Sequence, residues 1–241
     1  MSTSPTSAVE SAARDRAQDP GPRLVDLAAR VGGQVLAATF GVAARLRGTR
    51  ALHPVGFCGI GSLTMEPVGR SGVVLLDEPG PHPCLVRWSR ATGMREGPDL
   101  EGLAVRIQGP AAGDVLVAST GTGVLTRHVL TVRGRRDHGP LSTLLPLSTP
   151  VGPLLLRFDP LTVGDDPPAA YRLLVSAPGR PWHERGRLQI TWTDADCTRR
   201  HDPVGHPPAG TWTHPLWARL REPSYAASRA VGAEPEEPVR A

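Results

Sequence analysis

Lysine and asparagine are both absent from this 241-residue chain, so every basic side chain apart from histidine is an arginine. With Ala, Gly, Pro and Val abundant, the missing lysine reads as the codon bias of a GC-rich bacterial genome. Aromatic residues make up only 4%. The net charge of +4 and pI near 9.6 are spread along the chain among 23 acids, which with no recognition motif argues against a nucleic-acid groove. Three cysteines, Cys58, Cys84 and Cys197, have no CxxC spacing, and their odd number argues against a disulfide scaffold and for a reducing cytoplasm. No basic stretch leads into an apolar leader, so no signal peptide is expected. The longest apolar stretch, residues 24–46, is interrupted by Asp26, Arg30 and Gln34, which disfavours a membrane span and fits an amphipathic helix. There is no Gly-x-Ser-x-Gly elbow and no P-loop, and Gly121-Thr-Gly123 lacks the third glycine and acidic partner of a dinucleotide fingerprint.

What is present is a series of short apolar runs punctuated by glycine and proline. Between Ala51 and Val132 they are Ile60–Val68, Gly72–Leu76, Cys84–Ser89, Leu103–Gln108, Val115–Ser119 and His128–Val132; Tyr171–Ser176 and Arg187–Thr193 follow. Short strands at this spacing predict an antiparallel sheet or barrel. Leu144–Phe158 is apolar but broken by Pro146, Pro150 and Pro153, and predicts a connector with a short helix. Residues 201–216 read as loop, and residues 216–231 as a final helix. Polar, proline-rich composition marks 1–22 and 231–241 as disordered tails around a single domain over 23–230.

Three segments carry a resemblance. The first is Arg50-Ala-Leu-His53-Pro-Val-Gly56, continuing to Gly61 and a strand; the second is Leu85-Val-Arg87-Trp88-Ser89 followed by Asp99, Gly102 and Ala104; the third is the strand from Gly113-Asp114 to Ser119. In order and spacing they resemble the haem-side motifs of catalases, over roughly residues 50–120. The chain thus looks like a short, divergent member of the haem-dependent catalase-like superfamily. The resemblance implies an α+β fold: an antiparallel β-barrel of the catalase type with flanking helices, lacking the long arms and C-terminal helical domain of the full-length enzymes.

Haem is the implied cofactor, and hydrogen peroxide or an apolar organic hydroperoxide the implied substrate. His53 matches the distal acid–base group, suited to shuttling a proton between the peroxide oxygens. Ser89 matches the residue that orients it, and Arg50 and Arg87 match cations for the haem propionates. Arg221-Glu-Pro-Ser-Tyr225 matches the proximal pattern, with Tyr225 as iron ligand and Arg221 stabilising its tyrosinate. The chain departs from the family where a distal asparagine stands near the end of the Gly-Asp strand: Ala118 or Ser119 occupies that region. Trp88 replaces the usual phenylalanine.

Two alternatives stand beside this reading. One is a catalase fold that has lost haem and serves as a small-molecule binding barrel. The other is a hydrolase such as a phosphodiesterase, for which the acid–histidine candidates are Asp137-His138, Asp194 and Asp196, and His201-Asp202 with His206 and His214. A homo-oligomer is compatible with all three.

Overall fold

The computed structural model describes residues 55–67, 69–92, 97–161, 166–193, 197 and 201–214. The expected helices at 24–46 and 216–231, the tails, and the site candidates Arg50, His53, Arg221 and Tyr225 lie outside the described residues.

Eight antiparallel strands close into a barrel in chain order: β1 Val55–Met65, β2 His82–Arg90, β3 Glu101–Ile107, β4 Gly113–Ser119, β5 Leu141–Ser142, β6 Leu155–Pro160, β7 Ala170–Ser176 and β8 His183–Trp192. β8 returns to pair with β1, so neither sheet edge is left open. A one-residue register shift at Leu173/Leu174 against β8 makes a β-bulge, a device that sharpens the local bend of a barrel strand.

The period of two decides the faces. In β8, Leu188 and Ile190 are buried, whereas Arg187, Gln189 and Thr191 between them are exposed. Inward residues from all around the barrel, among them Leu63, Val86, Leu103, Val105, Val117, Phe158, Tyr171 and Leu173, are at most 4% exposed. An eight-stranded lumen is just wide enough to be filled by side chains. Each buried aliphatic or phenyl side chain contributes roughly 1.5–3 kcal/mol. Gly59 and Gly61 belong to this packing: a Cβ on Gly59 would meet Ile190 and Trp192 at 2.9 Å, and one on Gly61 would meet Val86 at 3.0 Å.

Several elements differ from expectation. Gly72–Leu76 contributes not a strand but the short helix α1, Val74–Asp77, because the Ser71 amide and hydroxyl and the Gly72 amide all donate to the Asp77 carboxylate and curl the chain. His128–Val132 is a 3-10 turn, Thr126–His128, followed by an isolated bridge from Leu130 to Thr120. The proline-broken stretch at 144–158 supplies most of β6 rather than a helix. Among the described residues helix is thus confined to α1 and two 3-10 turns, and none is long and apolar enough to cross a membrane. Residues 201–214 contain no strand or helix, as expected of a loop, and run as a strap along the barrel.

The cysteines also differ from expectation. Cys58 and Cys197 form a disulfide, with Cα atoms 5.9 Å apart across a sequence separation of 139. Spacing arguments miss such a pair because it depends on the pairing of β8 with β1, which brings the chain after β8 back beside Cys58.

Candidate functional site

Strand register builds the outer face of β1–β4 row by row. Gly56 lies opposite Ser89, Ser89 opposite Gly102, and Gly102 opposite Ala118. The next row is Cys58, Arg87, Ala104 and Leu116; the third is Ile60, Leu85, Arg106 and Asp114. Directly opposed residues of an antiparallel pair project to the same side. Ser89 and Arg87 therefore share one outer face, Ser89 standing within a row that is otherwise glycine and alanine. The row lies at the end of the barrel where β1 begins, two residues after His53 in the sequence. Gly56 has a close-approach role distinct from that of Gly59 and Gly61: a Cβ there would collide with the Trp88 carbonyl and come within 3.0 Å of the Arg87 guanidinium carbon.

The register also decides which of Ala118 and Ser119 joins the Ser89 row. Ala118 occupies the Ser89 row, and Ser119 points into the barrel, where its hydroxyl accepts the Glu101 amide at 3.1 Å and is fully buried. No hydrogen-bonding side chain stands at that place in the row.

The third row ends in a polar anchor. Asp114 accepts two bonds from Arg106, at Nε and Nη2, both 2.7 Å, and a third from the Asp202 amide at 2.7 Å. His201 Nδ1 is 3.6 Å from the same carboxylate, and His206 Nδ1 is 4.0 Å away. Burial pushes the Asp114 carboxyl up, but the Arg106, His201 and Asp202 contacts outweigh it and hold it well below the usual carboxylate range. Asp114 thus ties the strap to the barrel. Among the described residues no three His, Cys, Asp or Glu side chains gather as a metal-ion site.

A second polar cluster, which sequence reasoning missed, lies inside the barrel mouth. Trp88 Nε1 donates to Glu101 Oε1 at 2.8 Å, and His138 Nδ1 lies 2.5 Å from the same oxygen. His138 Nε2 reaches toward Asp166 at 3.6 Å. Glu101 Oε2, His138 Nε2 and the Tyr171 hydroxyl are buried without a hydrogen-bond partner. Burial, and then the nearby Glu101 charge, push the Tyr171 phenol well up, so it stays protonated. Of the pair Asp137-His138, His138 folds inward to Glu101. The available signal was parity, since Glu101 shares the inward phase of Leu103, Val105 and Ile107.

The three cysteines divide between the faces. Cys58 and Cys197 are half-buried and border a surface cavity with Ile60, Leu85, Thr193 and His201. Cys84 is buried in the lumen, and burial pushes its thiol up to about 12.

Comparison with models of known protein families gives no match to this chain, and neither does comparison with curated proteins.

Proposed function

We propose that this barrel is of the catalase type and that the protein is a haem-dependent oxidoreductase acting on hydroperoxides, with peroxidase chemistry favoured over dismutation. The observation that carries the reading is the row Gly56, Ser89, Gly102 and Ala118 with Arg87 in the next row. Small residues let a flat macrocycle approach the backbone. Ser89 lies at the barrel end where β1 begins, two residues after His53 in the sequence, and Arg87 is a fixed cation on the same face, as a propionate requires.

The tyrosines also bear on the fit. An iron ligand must be a tyrosinate, and Tyr171 faces the lumen on the far side of the sheet from Ser89, with its phenol held protonated by burial. The chain's other tyrosine is Tyr225, so this reading assigns the iron to Tyr225, with Arg221 supporting it and Arg50 joining Arg87 as a propionate cation. Haem would supply the redox iron that cleaves the oxygen–oxygen bond. The chain's own contribution is His53, which moves the proton between the peroxide oxygens, and Ser89, which orients it. Alanine in place of the distal amide leaves the site with one polar group fewer for holding a second peroxide, which is why dismutation is the weaker activity here.

The filled lumen counts against the binding-barrel alternative, because Phe158, Tyr171, Leu173 and their neighbours occupy the volume a ligand would need. The engagement of the Asp202 amide and His201 with Asp114, itself paired with Arg106, counts against the hydrolase. The test is reconstitution of the full chain with haem. Stoichiometric binding with a ferric Soret band is expected, lost or shifted in Tyr225→Phe. Peroxide should then oxidise a reducing dye faster than it releases oxygen, about 10²-fold more slowly in His53→Ala. Absence of saturable haem binding would overturn the proposal.

A further inference from the structure

Cys58 and Cys197 stand in the wall of a surface cavity whose other lining residues include Ile60, Leu85, Thr193 and His201. Cys58 lies on the outer face of β1, and its cross-strand neighbour is Arg87. Side chains so opposed have Cβ atoms about 5 Å apart, and the Arg87 guanidinium lies over Gly56 on this same face. Cys197 is within bonding distance of Cys58, and the Thr193 amide and hydroxyl both donate to the Cys58 carbonyl, at 2.8 and 2.7 Å. His201, anchored beside Asp114, adds a polar group to an otherwise largely apolar cavity. Two half-buried cysteines within bonding distance of each other and an apolar cavity beside them are the parts of a thiol-based reductant.

We propose that Cys58 and Cys197 form a redox-active pair that reduces an apolar organic hydroperoxide bound in this cavity. The Cys58 thiolate attacks the terminal peroxide oxygen; the oxygen–oxygen bond breaks, the alkoxide takes the proton the thiol released, and Cys58 becomes a sulfenic acid. The Cys197 thiol then attacks the Cys58 sulfur, expelling water and forming the disulfide seen here. One hydroperoxide is reduced to an alcohol and water while two thiols are oxidised to one disulfide. The step uses no haem, so it stands or falls separately from the preceding reading.

The test uses full-length, haem-free protein, reduced with dithiothreitol, desalted without oxygen and mixed with cumene hydroperoxide. Thiol titration and intact mass should show loss of two hydrogens, at least about tenfold faster than glutathione oxidises at the same pH. Hydrogen peroxide should react more slowly than cumene hydroperoxide, given the Ile60 and Leu85 lining. Cys58→Ser should abolish the fast phase, and Cys197→Ser should stop at a sulfenic acid that dimedone traps on Cys58. Cys84→Ser should leave the fast phase intact. Circular dichroism confirms folding; should Cys58→Ser misfold, the dimedone trap in Cys197→Ser carries the same test. Oxidation no faster than glutathione, or dimedone label on Cys197 or Cys84 in place of Cys58, would overturn the proposal.

Discussion

Single side chains in this barrel are used for opposite ends depending on which way their strand phase turns them. Ser89 and Ser119 both stand near strand ends on the same side of the barrel, yet one faces outward beside Gly56 and the other is spent inside on the Glu101 amide. Asp114 and Glu101 are both buried acids, but Asp114 is matched by a bidentate arginine and Glu101 by an indole and an imidazole. The Asp114 pairing gives a pH signature. Its folded carboxyl lies below the ordinary value near 4, so its stabilisation is fully present above that value and disappears as pH falls through the lower folded one. Urea unfolding from pH 6 down to pH 2 should show wild-type stability falling below about pH 4. Asp114→Asn should be less stable at pH 6 and lose less over the same interval; an unchanged acid slope would assign acid sensitivity to other carboxylates.

Among the elements, the strands with clean alternation were legible in the sequence, because a half-buried strand must write its two faces in a period of two. Cys84–Ser89, Leu103–Gln108, Val115–Ser119, Tyr171–Ser176 and Arg187–Thr193 all fall within or nearly coincide with observed strands. β5 and β6 were not legible: β5 has two residues, and prolines at 146, 150 and 153 obscured the strand that starts at Leu155. Gly72–Leu76 misled for the reverse reason, since its apolar run is buried by α1 against the strap rather than by sheet pairing. The strap itself tests as an element. A methyl on Gly113, the first residue of β4, would collide with the backbone at Pro207 and Pro208, where no flexible side chain can give way. Gly113→Ala should therefore cost on the order of 1–3 kcal/mol. It should also make the 201–214 segment more sensitive to limited proteolysis than the strands; protection equal to wild type would show that the strap can shift without loss.

At the scale of the whole molecule, the Cys58–Cys197 bond joins the first strand to the chain that follows the last one. Cross-linking so long a loop removes conformational freedom from the unfolded chain, worth about 2–4 kcal/mol for a native disulfide. Thermal unfolding with and without dithiothreitol should differ by roughly 5–15 °C in a chain of this size, and Cys197→Ser should match the reduced wild type; equal midpoints would mean that the bond does not form in solution. By itself the sequence determined that the chain makes an antiparallel sheet or barrel of short strands, because alternation and turn residues are local properties; the pairing of β8 with β1 decided that it is a closed barrel. It also carried the candidate motif around Arg87 and Ser89 as a linear pattern. Only the tertiary structure decided that Ala118 rather than Ser119 joins the Ser89 row, that Tyr171 faces the lumen, that Glu101 meets His138, and that Cys58 meets Cys197. Each of these depends on strand register and on the path of the strap, and a shift of one residue in either would turn every one of those side chains to a different neighbour.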